Sequence, residues 1–186
     1  MPFDPVGVAV LGCGRVSDAH LEAIRACREF ARLEAVIDLD SNRAADAASR
    51  HGAPRALTSL EAALAIEDIE AVVVCLPNHL HGESTIAALQ AGRHVLVEKP
   101  MAINLEQCDA MVEAAACNNV KLMVDQSTRY SRSLLELKRI FESGQCGDLV
   151  NSWSIRQSYH HVTPGSEWRL EGDQSGGIVL RESEYP

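Results

Sequence analysis

The segment Glu98-Lys99-Pro100 places a carboxylate and an ammonium group side by side, directly after the apolar run from His94 to Val97. A lysine there can hold a hydroxyl or carbonyl oxygen and stabilise the charge that develops on it when a hydride is transferred. Pro100 would fix the turn that aims the lysine. A surface ion pair at the end of a strand is the alternative. We treat Lys99 as a candidate catalytic residue, and Glu98 and Lys99 as candidate cofactor contacts.

A glycine turn, residues 12–17, reads Gly-Cys-Gly-Arg-Val-Ser and matches the fingerprint of dinucleotide-binding turns, with serine in place of the third glycine. Gly12 permits a tight turn between strand and helix, and Gly14 lets a pyrophosphate approach the main chain. The free amides of the following helix supply donors, so Arg15 and Val16 are also candidate cofactor contacts. A glycine turn that binds no ligand is the alternative.

Asp38 ends the second predicted strand, at the distance along the chain where this fingerprint places an acidic residue. A carboxylate there accepts hydrogen bonds from both ribose hydroxyls of adenosine and repels a 2′-phosphate, which favours NAD. Arg43 stands close enough along the chain to soften that preference, so NADP stays open. An aspartate that only caps a turn or helix is the alternative.

A polar loop follows the fourth predicted strand, at the sheet edge where open α/β sheets bind their ligands. We expect Leu76, Asn78 and His81 of this loop to contact the cofactor. His79 and His81 could suggest a metal, but no carboxylate or cysteine stands at ligand spacing to them. The sequence therefore predicts no metal site.

Composition narrows the class of protein. The chain has 186 residues, 46% hydrophobic and 23% charged, with a formal net charge of −9. Such a charge repels polyanions, so we expect no nucleic-acid partner. There is no apolar run of about 18 residues, which predicts no membrane contact and a cytoplasmic protein. The six cysteines form no CxxC pair and are expected to be reduced thiols in the core.

Short apolar runs alternate with helical patterns through the first part of the chain, as in a doubly wound parallel sheet. Strands are predicted at 6–11, 33–37, 70–76, 94–97 and 121–124, the last as the sixth strand, and helices at 17–29, 41–51, 58–66, 79–91 and 104–118. Thr58 and Glu61 form the capping box predicted to open the third helix. We therefore expect an α/β Rossmann domain over residues 1–125.

The pattern changes after Asp125. A helix is predicted at 131–143, an alternating strand at 148–159 and a short strand at 176–180. Two strands and one helix bury little apolar surface on their own. Residues 126–186 are therefore expected to form an incomplete α+β second domain.

Together these motifs resemble the glucose–fructose oxidoreductase/inositol dehydrogenase/MocA (Gfo/Idh/MocA) family. The segments that carry the resemblance are Gly12-Cys13-Gly14 with His20, Cys75 to Glu83, His94 to Ala102, Arg129-Tyr130, Gly144 to Asp148, Trp168-Arg169 and Gly176-Gly177. The resemblance implies NAD(P)-dependent oxidation or reduction of a sugar, polyol or related compound by a homo-oligomer. It makes Lys99 the catalytic lysine and places Glu98 and Arg129 near the nicotinamide.

Members of this family usually follow the Gly-Gly strand with an acidic residue and a histidine that accepts the proton, and then continue for a further part of the sheet domain. Here Glu182 and Tyr185 fall roughly at those positions. Either Tyr185 takes the proton-transfer role in place of the histidine, or the catalytic segment is missing. The resemblance thus implies a chain shortened in its second domain. A non-catalytic dinucleotide-binding module, or a subunit that depends on a partner, is the alternative.

Overall fold

The computed structural model describes residues 4–148, 150, 151, 153, 155 and 166–177. Within them, six parallel strands form one sheet in the order β3-β2-β1-β4-β5-β6. The strands are β1 (Val6–Leu11), β2 (Ala31–Ile37), β3 (Ala56–Leu57), β4 (Ala71–Val74), β5 (His94–Glu98) and β6 (Leu122–Asp125). This is the strand order of a dinucleotide-binding Rossmann domain, so the predicted α/β fold is confirmed.

The helices are α1 (Ser17–Ala26), α2 (Ser41–His51), α3 (Leu60–Leu64), α4 (His81–Gln90), α5 (Leu105–Cys117), α6 (Arg132–Glu142) and α7 (Gly172–Ser175). Short 3-10 turns lie at Asn78–Leu80, Ser127–Tyr130 and Glu167–Arg169. The chain order reverses between β1 and β4, and the carboxyl ends of these two strands flank the crevice where such sheets bind ligands.

Both faces of the sheet are buried because alternate residues of each central strand point to opposite sides. In β1, Ala9 and Leu11 pack on the face covered by α3, α4 and α5, whereas Val8 and Val10 pack on the face covered by α1 and α2. The run of small and β-branched residues in β4 is buried in the same way. This double burial explains why the strands read as continuous apolar runs.

The capping residue of the third helix lies one position later than the sequence predicts. Ser59, and not Thr58, caps α3 by accepting a hydrogen bond from the main-chain N–H of Ala62 at 3.2 Å. The predicted capping box is therefore wrong. Two adjacent hydroxyl residues compete for the cap, and the sequence does not show which one adopts the extended backbone of a cap.

The prediction of a strand at 148–159 is also wrong for those of its residues that the structure describes. Residues 150, 151, 153 and 155 have no regular structure, and the side chains of Trp153 and Ile155 are largely exposed. Alternation alone does not make a strand when no neighbour supplies its hydrogen bonds. The sequence predicts the other strand over residues 176–180. Gly176 instead ends α7 with a φ of 75°. Residues 178–180 lie outside the described residues.

All six cysteines are free thiols, as predicted, but only some of them lie in the core. Cys75 is buried, Cys13 and Cys108 are partly buried, and Cys27, Cys117 and Cys146 are exposed. The prediction that the thiols lie in the core is wrong for the last three. In the described part of the chain, no helix combines the length and apolarity needed to cross a bilayer.

Candidate functional site

The two glycines of the turn after β1 differ in what surrounds them. Gly12 has a φ of 94°, and a Cβ there would lie 2.5 Å from the carbonyl oxygen of Cys75. Gly14 lacks a left-handed φ, and a Cβ there would have no atom within 4 Å. Gly12 is thus required by the close approach of the turn to the end of β4. Gly14 leaves open space beside the main chain, where a ligand could approach.

The N-terminus of α1 faces this space. Val16, its capping residue, makes no side-chain hydrogen bond to the first turn. The main-chain N–H groups of Ser17 and Ala19 donate to the carbonyl oxygens of Gly14 and Val16, each at 3.2 Å. The buried hydroxyl of Ser17 donates to the carbonyl oxygen of Gly14 at 2.5 Å. The serine in the third glycine's position therefore closes the turn itself. Arg15 and Val16 are exposed beside it.

Asp38 follows β2 and holds the glycine turn in place. Its Oδ2 accepts from the main-chain N–H of Cys13 at 2.9 Å, and its Oδ1 accepts from that of Asp40 at 2.9 Å. Arg43 lies in the first turn of α2, with its Nε 3.6 Å from a carboxylate oxygen of Asp40. The carboxylate predicted to meet the ribose thus also ties the end of β2 to the turn after β1.

Two polar side chains of the loop after β4 form hydrogen bonds with main-chain carbonyl oxygens of the protein. Asn78 is buried, and its Nδ2 donates to the carbonyl oxygen of Ser175 at 2.8 Å, which fixes α7 against this loop. The ring nitrogens of buried His81 lie 2.7 Å from the carbonyl oxygen of Pro100 and 2.8 Å from that of Leu76. Burial lowers the pKa of His81 against the raising effect of these two carbonyls. The geometry assigns both side chains to holding loops together, and their contact with the cofactor stays a prediction.

Three ionisable side chains meet where β5 and β6 end. His20 of α1 lies with Nε2 2.9 Å from Oε1 of Glu98 and 3.7 Å from Oδ2 of Asp125. The other carboxylate oxygen of Glu98 accepts from the main-chain N–H of Lys99 at 3.2 Å. Glu98 and Asp125 are register partners in the parallel ladder, so their side chains lie next to each other.

The pKa values of these groups shift together. The hydrogen bond that the His20 ring donates to Glu98 raises the pKa of His20, and burial opposes it. Burial acts to raise the pKa of Glu98, but the hydrogen bond and charge of His20 outweigh it and lower that pKa. Burial and then the charge of Glu98 raise the pKa of Asp125. The cluster therefore combines a histidine that favours its cationic form with an ionised Glu98.

His20, Glu98 and Asp125 also offer ligand atoms that all lie within 4.8 Å of one another, a spacing that a cation could bridge. The direct hydrogen bond between His20 and Glu98 already satisfies two of the three groups. Within the described residues, the contacts of these three side chains are those of an ion-pair network.

Two of the remaining predicted site residues, Lys99 and Arg129, lie at the same edge of the sheet. Lys99 is partly buried, follows β5, and is joined to Pro100 by a cis peptide bond. Arg129 is exposed in the 3-10 turn after β6. Tyr185 lies outside the described residues. The structure thus brings the turns after β1, β4, β5 and β6 to one edge of the sheet.

Sequence reasoning missed two members of the cluster as site residues. In the sequence His20 stands out only as part of the family pattern, although its place one turn into α1 sets it near the ends of the neighbouring strands. Asp125 directly follows the apolar run of β6, as Glu98 follows that of β5. A polar residue at the end of each parallel strand is the signal that could have found it.

The comparison with protein families matches residues 6–126 to the Gfo/Idh/MocA model, described as an oxidoreductase family with an NAD-binding Rossmann fold. The chain belongs to this family. The resemblance inferred from the sequence is therefore confirmed, as is the expectation of a nicotinamide dinucleotide as the cofactor of the fold.

Relatives of the Gfo/Idh/MocA chain include scyllo-inositol 2-dehydrogenase (NADP(+)) IolU of Bacillus subtilis, 34% identical over 70% of this chain and 40% of that protein. Levoglucosan dehydrogenase, solved with NADH and levoglucosan, has a TM-score of 0.80 at 28% identity over 95% of this chain and 50% of that one. The WlbA dehydrogenase of Bordetella pertussis, solved with NADH and UDP-GlcNAcA, has a TM-score of 0.73 at 33% identity over 77% and 44%. The chain spans half or less of the length of each of these proteins.

Proposed function

We propose that this chain binds NAD or NADP at the carboxyl edge of its sheet and uses it in the oxidation or reduction of a sugar, polyol or related compound. The observation that carries the proposal is the meeting of two features at one edge. Open space beside Gly14 faces the uncapped N-terminus of α1, and the Glu98-Lys99 turn ends a strand of the same sheet.

In this proposal the pyrophosphate lies over Gly14 beside the N-terminus of α1, whose positive dipole end favours an anion. Asp38 accepts from the adenosine ribose. Its carboxylate favours NAD, because a 2′-phosphate would be repelled, while Arg43 is the residue that would meet that phosphate. The relatives differ here, since one is named for NADP and two were solved with NADH.

Lys99 would hold the substrate oxygen, with Glu98 and Arg129 near the nicotinamide. When bound, the nicotinamide would supply hydride-acceptor chemistry: on oxidation of the small-molecule substrate its C–H bond would break, and the hydroxyl proton would leave to a base. An ammonium group next to that oxygen stabilises the charge that develops as the two transfers proceed. Tyr185 stays our prediction for the proton-transfer role.

Cofactor binding is tested by calorimetric titration of the chain with NADH and with NADPH. We expect binding by the parent and loss of binding in Gly14→Asp, because the added carboxylate would occupy and repel the pyrophosphate site. Gln145→Asp adds the same charge in an exposed turn after α6 and serves as the matched control. If neither cofactor binds the parent, or if Gly14→Asp binds as well as the control, the proposed site is refuted.

Activity is tested by NADH formation from NAD with myo-inositol and levoglucosan as probes, in the parent and in Lys99→Met. Turnover in the parent that is lost in Lys99→Met, while NADH still binds, supports the dehydrogenase. Cofactor binding without turnover would favour the alternative of a dinucleotide-binding module, which needs a partner or further sheet for catalysis.

The domain division at residue 125, a homo-oligomer and a cytoplasmic location stay predictions. An association surface is supported by α6, because Leu137 and Phe141 lie one turn apart on the same helix face and are 46% and 36% exposed. Adjacent exposed apolar side chains are typical of surfaces that are covered in an assembly.

A further inference from the structure

Two carboxylates stand side by side at the edge of the sheet. Glu98 ends β5 and Asp125 ends β6, and the two residues are partners in the parallel register. The side chains are only 13% and 19% exposed. Their carboxylate oxygens lie within 4.8 Å of each other, so two ionised groups here repel, and the charge of Glu98 contributes to the raised pKa of Asp125. A cation that faces both carboxylates favours their ionised forms.

His20 supplies the group that faces both of them. It reaches from α1 to Glu98 at 2.9 Å and to Asp125 at 3.7 Å, and its own side chain is 14% exposed. Glu98 uses both carboxylate oxygens: Oε1 contacts His20, and Oε2 accepts a hydrogen bond from the main-chain N–H of Lys99. A continuous chain of contacts therefore runs from α1 through Glu98 to the main chain of Lys99.

This chain of contacts also begins in the helix that faces the open space beside Gly14. His20 is the fourth residue of α1, one turn beyond the buried Ser17 that closes the glycine turn. The element proposed to bind the pyrophosphate and the turn proposed to hold the substrate oxygen are thus joined by one side chain.

We propose that His20 is a positioning residue for Lys99: through its 2.9 Å contact with Glu98, it sets the direction of that carboxylate and so the place of the Lys99 turn. The inference rests on the proposed function only for the role of Lys99. The link from His20 to Lys99 stands on geometry and can be measured without turnover.

The chain has only three lysines, Lys99, Lys121 and Lys138, so labelling with ¹⁵N-lysine gives three main-chain amide signals. The Lys99 amide donates to Glu98 and should report the protonation of His20. The Lys121 amide donates to Nδ1 of His94 at 3.0 Å and reports a different histidine. Lys138 lies in exposed α6 and is the reference.

We expect the Lys99 signal of the parent to move with pH as His20 titrates, with a midpoint above the usual histidine value of about 6.5. Two groups face His20 from the packed strands, Glu98 and Asp125, and both favour its cationic form. In His20→Gln an amide donor remains but the titration is removed, so the Lys99 signal should become flat over this range. The Lys121 signal should stay where it is in the parent, which shows that the fold is intact.

Glu98→Gln gives the second test, because it keeps the side-chain volume and removes the carboxylate that joins the two residues. The Lys99 signal should lose its response in this variant as well. A Lys99 response that persists in His20→Gln, or its absence in the parent, would overturn the inference. Failure of NADH to bind the parent would instead refute the proposed function and leave the link from His20 to Lys99 standing.

Discussion

The two glycines of the turn after β1 should respond in opposite ways to the same added methyl group. We consider Gly12→Ala and Gly14→Ala. At Gly12 the new Cβ would lie 2.5 Å from a main-chain oxygen, and the residue needs a φ of 94°. At Gly14 the new Cβ meets no atom within 4 Å. The first change should damage the fold, and the second only the cofactor site.

The magnitudes follow from these surroundings. Left-handed backbone strain costs about 1–3 kcal/mol and an overpacked contact about 1–3 kcal/mol, so Gly12→Ala should lower the free energy of unfolding by about 2–6 kcal/mol. Gly14→Ala should raise it by about 0.4–1 kcal/mol, because alanine restricts the unfolded chain. Each lost charge-assisted hydrogen bond to the pyrophosphate costs about 1.5–3 kcal/mol, so Gly14→Ala should weaken NADH binding at least about tenfold.

Urea unfolding followed by circular dichroism gives the stabilities, and quenching of tryptophan fluorescence or calorimetry gives the NADH affinity. The reasoning predicts a stable Gly14→Ala chain that binds NADH poorly, and an unstable Gly12→Ala chain. Equal NADH affinity in Gly14→Ala and the parent would refute the pyrophosphate site. Unchanged stability of Gly12→Ala would refute the close approach of this turn to the end of β4.

Three further outcomes are expected. Asp38→Asn should weaken NADH binding about tenfold or more and raise the ratio of NADPH to NADH affinity in calorimetry; an unchanged ratio would remove Asp38 from the ribose site. The hydrogen bond to Glu98 raises the pKa of His20 above its value in the unfolded chain. The stabilisation that this pair gives to the fold is therefore fully present below about pH 6.5. It is lost as the pH rises through the folded pKa, so urea unfolding should show the parent's advantage over His20→Gln shrinking at higher pH, and a constant gap would contradict this. Asn78→Ala removes the donor to the carbonyl of Ser175 and should speed hydrogen exchange at residues 172–176, with a loss of about 1 kcal/mol; unchanged exchange would show that this bond does not hold α7.

The sequence by itself determined the parallel sheet and the position of its first ligand-binding turn. Strands buried on both faces leave continuous apolar runs, and glycines at a strand end leave a local signature, so both can be recognised from neighbours in the chain. The same local reasoning failed at the cap of α3 and for the strand over 148–159. A cap depends on the backbone of one residue, and a strand depends on a partner that the pattern does not contain.

Only the tertiary structure decided what the polar residues at the sheet edge touch. His20 and Glu98 are separated by 78 positions in the chain, and Asp38 and Cys13 by 25. These pairs meet because sheet register and helix packing place their main chains within reach, and no local period records that register. The same packing turned His81 toward two main-chain carbonyls, because a buried imidazole needs partners and the nearest are the ends of the loops it separates.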